Sequence, residues 1–335
     1  MTSKRLLLLS ALGLFGVHNV ATAGEVNFNQ GNVVLAPDGK GGSVLRPPTT
    51  EIEQAEAVAR ARRAANGVSP QSVIPGAISY HGGPIMLGTT WFQPIYYGWP
   101  SGSVPALHSR LSGLVLGLNG SSYFSIVSGY YDGNGNHVSN SIQSSWNIIV
   151  PSSPAYGGNT LSDASVWQMV SDQLSTLNFP FPVQNGVFVV ISGPSVQESS
   201  GFCGSYCGWH SNHSFLGNDI KFAFVGDTDR CPQACATGSL VQGVWYQDCP
   251  SSNCAADGIA NFLTHEIAEA ITDPDGNAWY DSGIHEIADK CNLVYGPIIG
   301  GSKANSDWYD FSGGGFGYEI QELWIQPNGG CAMSH

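Results

Sequence analysis

The chain has 335 residues, with 12 Lys+Arg against 25 Asp+Glu, a formal net charge of −13, and only 11% charged residues. That balance argues against a nucleic-acid partner, because phosphate binding needs clustered cations. At 42% hydrophobic residues with nine Trp, the chain can bury the core of one large domain or two modest ones.

In chain order, Lys4 and Arg5 precede the apolar run Leu6 to Val17, and Ala21-Thr22-Ala23 follows. These are the parts of a secretory signal, predicted to occupy 1–23 with cleavage after Ala23. The apolar run is too short to span a bilayer and no later segment is longer and equally apolar, so no membrane span is expected. Residues 24–76 read as an N-terminal extension or pro-segment. Within it, Glu51 to Ala65 has helix-forming composition, with acidic residues early and basic residues late, which suits the helix dipole. The cluster Arg60-Ala61-Arg62-Arg63 is either a solvated face or a processing site.

From residue 77 to 335 the chain reads as a single domain. Ile85 to Trp99, Ser122 to Tyr131, Gly186 to Ser192, Asp219 to Val225 and Leu240 to Tyr246 are expected strands, rich in β-branched and aromatic residues. Helical patterns fall at Val104 to Leu118, Leu161 to Leu177 and Asp257 to Thr272. The expected class is α+β, a zincin-like layered domain with a mixed β-sheet and a metal-type helix. The last forty residues, with Gly313-Gly314-Gly315 and Gly317, read as loop-rich strands. Asn119-Gly120-Ser121 and Asn212-His213-Ser214 are glycosylation sequons if the host is eukaryotic.

All eight cysteines, Cys203, Cys207, Cys231, Cys235, Cys249, Cys254, Cys291 and Cys331, lie in the later part of a chain read as exported. Four disulfides are therefore expected, with connectivity open, against the alternative of a zinc knot at the paired spacings.

The candidate chemistry centres on His265-Glu266-Ile267-Ala268-Glu269. In H-E-x-x-H helices two histidines four apart hold zinc, and the glutamate after the first activates a bound water. Here Glu269 stands at the second position and still faces the same way as His265. The expected metal ligands are His265, Glu269, Glu286 and Asp275, with Glu266 as the catalytic general base. Asp275 follows His265 by the spacing of a third ligand, and Glu286 matches a glutamate supplied from a second helix. His285, Asp289, Asp273 and His210 are supporting or alternative residues, Asp289 as the acceptor that orients the His265 ring. Zn2+ is favoured because of the histidine, with Ca2+ or Mn2+ as alternatives once a carboxylate replaces a histidine. The plain alternative is a solvated carboxylate face on a structural helix followed by a Thr272-to-Asn277 turn. No G-x-S-x-G elbow occurs to support a serine hydrolase.

Five motifs in order resemble the EXORDIUM, or phosphate-induced protein, family. They are Ser79-Tyr80-His81-Gly82-Gly83-Pro84, Ile95-Tyr96-Tyr97-Gly98-Trp99, Gly201-Phe202-Cys203 with Cys207-Gly208-Trp209-His210, Cys231-Pro232-Gln233-Ala234-Cys235, and Thr272-Asp273-Pro274. The resemblance implies a secreted, apoplastic protein linked to growth and cell expansion, with no settled reaction. It also implies a departure, because plant members typically carry apolar or small residues where His265 and Glu266 stand. Two functions are therefore expected. One is a secreted zinc-dependent hydrolase, a metallopeptidase acting on an extracellular polypeptide. The other is a non-catalytic extracellular or cell-wall protein with a structural or calcium-binding acidic cluster.

Overall fold

A computed structural model describes residues 74, 76–236, 253–295, 318, 320–326 and 329–334, with the backbone of short strands at 25–27, 32–37, 43–46, 238–241 and 244–247. The expected signal at 1–23, the helix Glu51 to Ala65 with its arginine cluster, Cys249 and the glycine run at 313–317 lie outside the described residues. In the extension, Glu25–Asn27, Asn32–Pro37 and Ser43–Arg46 form a three-stranded antiparallel sheet that the composition did not suggest.

The core is a six-stranded mixed sheet built from β1 (Thr90–Tyr97), β2 (Ile142–Ser144), β3 (Ile148–Val150), β4 (Gly186–Ser192), β5 (Gly208–Phe215) and β6 (Asn218–Val225). The order is β5-β6-β4-β1-β2, with β3 also pairing β1, and every pairing is parallel except the β5–β6 hairpin. All seven residues of β4 are buried, as expected for a parallel strand covered on both faces. Pro94 sits inside β1 although it has no N–H for a ladder bond. It falls where the pairing of β1 passes from β2, opposite Thr90 to Phe92, to β3, opposite Ile95 to Tyr97. Gln93 bridges that break, donating from Nε2 to the Trp146 carbonyl at 2.9 Å.

Three helices sandwich the sheet: α1 (Val104–Leu118), α2 (Asp163–Thr176) and α3 (Cys254–Thr272). Ser162 Oγ caps α2 by accepting from the Ser165 N–H, and Asn253 Oδ1 caps α3 by accepting from Ala256 N–H at 3.1 Å. Alternation along β5 sends Gly208, His210 and Asn212 to one face and Trp209, Ser211 and His213 to the other. The first face packs on α3, while His213 stacks on Trp167 of α2 with ring centroids 4.2 Å apart. At the hairpin tip Leu216 and Gly217 both have positive φ (50° and 82°), the conformation of a two-residue primed turn.

Helices at 104–118, 163–176 and 254–272 and strands at 186–192 and 218–225 agree with the sequence reading to within three residues. Three elements differ. The strand expected at Ile85 to Trp99 forms only over Thr90–Tyr97. Ser122 to Tyr131 contains a 3-10 helix at Phe124–Gly129, because Ser121 Oγ accepts from the Phe124 N–H at 3.0 Å and the Ser125 hydroxyl donates to the Ser122 carbonyl. Such local serine bonds divert backbone from a ladder. Leu240 to Tyr246 is a hairpin of Gly238–Val241 and Val244–Gln247 rather than one strand.

Cys203 pairs with Cys231, Cys207 with Cys235 and Cys291 with Cys331. Cys254 is also disulfide-bonded, and no described cysteine is free. The paired spacings therefore cross-link two loops to each other instead of forming a zinc knot. No helix among the described residues is long and apolar enough to cross a membrane.

Candidate metal centre

Nearly every residue of α3 is buried, which is normal for an apolar helix and costly for a polar one. Its four-residue repeat nonetheless places His265, Glu269 and Asp273 in succession, with Glu266 beside them. Glu266 and Glu269 are each only 3% exposed, so the alternative of a solvated carboxylate face does not describe them. They meet His210 from β5 and Glu286 and Asp289 from the segment after α3, all buried.

Two groups of donors result. In the first, His265 Nε2 lies 3.1 Å from Glu269 Oε1 and 3.4 Å from Asp289 Oδ1. In the second, His210 Nδ1 lies 3.4 Å from Glu266 Oε2 and 3.6 Å from Glu269 Oε2. Within each group the potential ligand atoms lie within 4.8 Å of one another. Glu286 Oε1 stands 3.7 Å from His210 Nε2 and is buried with no hydrogen-bond partner.

The surroundings orient these donors. His265 Nδ1 faces Gln321 Oε1 at 3.3 Å, and Gln321 Nε2 donates to the Ala288 carbonyl at 2.7 Å. The amide is thereby fixed with its oxygen toward the ring, so Nδ1–H donates to it; without a cation Nε2 is protonated as well and faces Glu269 and Asp289, and loss of that second proton leaves Nε2 as the nitrogen able to bind a metal. A ligand histidine needs that tautomer. Gln321 thus fills the place expected of Asp289, whose Oδ1 lies on the Nε2 side of the ring. Asp289 is held by its Oδ2, which accepts from Glu286 N–H at 3.2 Å, while its own N–H donates to Glu269 Oε1 at 3.0 Å.

Seven of the nine residues singled out in the sequence come together: His210, His265, Glu266, Glu269, Asp273, Glu286 and Asp289. Asp273 Oδ1 accepts from the Ala278 N–H at 2.6 Å and neighbours His210 and Glu286 electrostatically. Asp275 lies apart, its Oδ1 3.4 Å from Lys221 Nζ, because the turn after α3 carries it to the far end of β6. His285 also turns away, its Nδ1 2.9 Å from Asp281 Oδ1. Asp281 in turn accepts from Lys290 Nζ at 2.6 Å. Burial opposes ionisation of Asp281, yet the His285 and Lys290 bonds hold it well below the usual carboxylate range.

Charge accumulation perturbs the whole cluster. Burial pushes Glu269 up to about 7, reinforced by Asp289, and Asp273 to about 6. Burial, then Glu269, raises Glu286 well above its ordinary value. Burial disfavours the His265 cation, but Glu269 and Asp289 outweigh it and hold the ring well above its usual pKa. The same contest, with Glu266 the leading partner, raises His210. Five carboxylates around two imidazoles can be accommodated out of water by protonation or by compensating positive charge, and a bound cation would supply the latter. Imidazole nitrogen and carboxylate oxygen are donors for Zn2+ and Mn2+.

Gln321 and Tyr130 carried no sequence signal. Tyr130, whose hydroxyl donates to the Trp324 carbonyl at 2.8 Å, lies close enough to Glu269 and Glu286 that they add to the upward push of burial on its phenol. The pairing of β5 with β6 brings in His210, and alternation along Gly208 to Phe215 was the only available cue.

Residues 78–313 match the phosphate-induced protein 1 conserved region. Protein EXORDIUM-like 3 of Arabidopsis thaliana is 26% identical over 273 residues, covering 74% of this chain and 80% of the relative. Protein EXORDIUM-like 5 of the same plant is 25% identical over 279 residues, covering 75% and 76%. No solved structure matches the chain. The ordered motifs from Ser79 to Pro274, and a conserved-region match reaching from the first of them past α3, place this chain in the phosphate-induced protein 1, or EXORDIUM-like, family.

Proposed function

We propose that this chain is an extracellular EXORDIUM-like protein built around a buried divalent-cation centre, with His265 Nε2, Glu269 Oε1 and Asp289 Oδ1 as ligands. The observation that carries the reading is the fixed tautomer of His265. Gln321 Oε1 accepts from Nδ1–H, which leaves Nε2, 3.1 and 3.4 Å from two carboxylate oxygens, as the nitrogen that offers its lone pair to a cation placed among them. Zn2+ fits this mixed donor set best and Mn2+ is the closest rival, whereas Ca2+ favours all-oxygen shells. Disulfide-bonded cysteines and the kinship with EXORDIUM-like proteins support an extracellular setting, and the partners that follow are an extracellular polypeptide or a cell-wall component.

The test is metal analysis of the purified protein before and after chelation, with thermal melting of both forms. At least one equivalent of cation is expected, with a lower melting temperature after its removal. Saturation at 100 times Kd would correspond to about 2.7 kcal/mol of stabilisation. A chain that takes up no cation and melts identically with chelator would overturn the reading.

A hydrolytic role, with a zincin-like helix and Glu266 as general base, is the second reading. It is favoured by the count of three protein donors, which leaves a position for water as catalytic zinc sites do. Glu266→Gln would then keep the His265 cation and lower hydrolysis by at least ~100-fold. Equal turnover in the two proteins, on any substrate found, would remove this reading and leave the cation centre intact.

A further inference from the structure

We propose that the centre holds two divalent cations bridged by the carboxylate of Glu269, an inference that rests on the cation reading above. The two donor groups, His265/Glu269/Asp289 and His210/Glu266/Glu269, share one residue only, and it contributes a different oxygen to each. Glu269 Oε1 faces His265 and Asp289, while Oε2 faces His210. A carboxylate presenting one oxygen to each of two donor sets is the arrangement of two-metal sites, whose ions stand about 3.5–4 Å apart. Each set supplies one imidazole nitrogen and two carboxylate oxygens, a match in donor type that a single ion leaves without purpose.

A further observation bears on the same centre. Glu286 Oε1 is buried, lacks a hydrogen-bond partner and lies 3.7 Å from His210 Nε2, so with a cation on Nδ1 the Nε2–H points toward this carboxylate, which keeps Nδ1 turned to Glu266 and Glu269. No cysteine competes for these ions, because every described cysteine is disulfide-bonded.

In this arrangement Glu266 is a ligand of the second cation. The chemistry of such a site is that of a co-catalytic centre acting on a carbonyl or phosphoryl group.

The test uses the untagged full chain, stripped with chelator and reloaded with Zn2+ for stoichiometry or Mn2+ for electron paramagnetic resonance. The expected results are two Zn2+ per chain and an exchange-coupled Mn2+ spectrum. Glu266→Gln, nearly the same size and shape, is expected to lower the stoichiometry to one and convert the spectrum to the six lines of an isolated ion. His210→Ala provides the same reading from the β5 side. One cation in the wild type, with six uncoupled lines and no change in Glu266→Gln, overturns the second cation and leaves the single-cation centre standing. No bound cation overturns both. Where a variant fails to fold, the wild-type stoichiometry and coupling decide alone.

Discussion

Gln321→Leu tests whether the His265 ring is held ready for a metal. Leucine keeps the side chain's approximate volume but removes both of its hydrogen bonds, the 3.3 Å contact to His265 Nδ1 and the 2.7 Å donation to the Ala288 carbonyl. The backbone N–H of residue 321 still donates to Asn261 Oδ1 at 2.8 Å, so the segment stays anchored. Two buried polar groups lose their partners, each costing about 1–3 kcal/mol. A net loss of roughly 2–4 kcal/mol in the apo protein is expected once leucine's apolar burial offsets part of it. Loss of the orienting partner is also expected to weaken cation binding about 10–100-fold. Urea denaturation of the stripped protein measures the first effect, and competition with a chromogenic chelator measures the second. If Gln321→Leu binds Zn2+ as tightly as the wild type, Gln321 does not set the tautomer and the argument for His265 as a prepared ligand fails.

Three further outcomes are expected. Gly208→Ala puts a methyl group 2.7 Å from Glu266 Oε1 and 3.0 Å from the Phe224 carbonyl; a loss of about 1–3 kcal/mol in thermal unfolding together with reduced metal content is expected, and an unchanged protein would refute the tight β5–α3 contact. Thiol titration under denaturing, non-reducing conditions should find essentially no free thiol, and replacing Cys203 and Cys231 together by Ser should cost up to about 3.6 kcal/mol by the loop-entropy relation for their separation of 28; a cost near zero would show that this bridge constrains nothing. Burial pushes Glu198 up to about 7 from an ordinary 4.5, so the folded state binds the extra proton and stability falls as pH rises from 4.5 to 7, by up to about 3 kcal/mol. Denaturant midpoints for Glu198→Gln should lose this slope, and parallel curves for the two proteins would contradict it.

The helices were legible because their signal is local: apolar spacing belongs to neighbouring residues, although the Ser162 and Asn253 caps that set the starts of α2 and α3 went unread. Strand β4 was legible because a parallel strand buried on both faces is one unbroken apolar run. Strand β5 was not, since Trp209-His210-Ser211-Asn212-His213 has little β-branched content and takes its conformation from pairing with β6. The same divide runs through the centre. His265, Glu266 and Glu269 are one turn of helix, so their convergence could be read from spacing alone. Glu286 was found by its spacing from Glu269 and Asp289 by standing one helical turn beyond it, although the expected second helix is an irregular segment ending in a 3-10 turn at Asp289–Cys291. Asp275 matched a spacing whose geometry depends on a glycine turn, and Thr272 with Pro274 sends the chain elsewhere. Gln321 is 56 residues from His265 and no sequence pattern ties an amide to a ring at that distance.

That wide separation of donors bears on how the protein matures. Positions 210, 265–269, 286–289 and 321 belong to segments that meet only after long loops close, and loop closure costs entropy before any contact repays it. Two of the disulfides, Cys203–Cys231 and Cys207–Cys235, fasten the segment leading into β5 to the short helix Pro232–Cys235 that follows β6, while Cys291–Cys331 brackets the segments that bear Asp289 and Gln321. Formation of these disulfides would then precede loading of the proposed cation, and a chain kept reduced is expected to take up less of it.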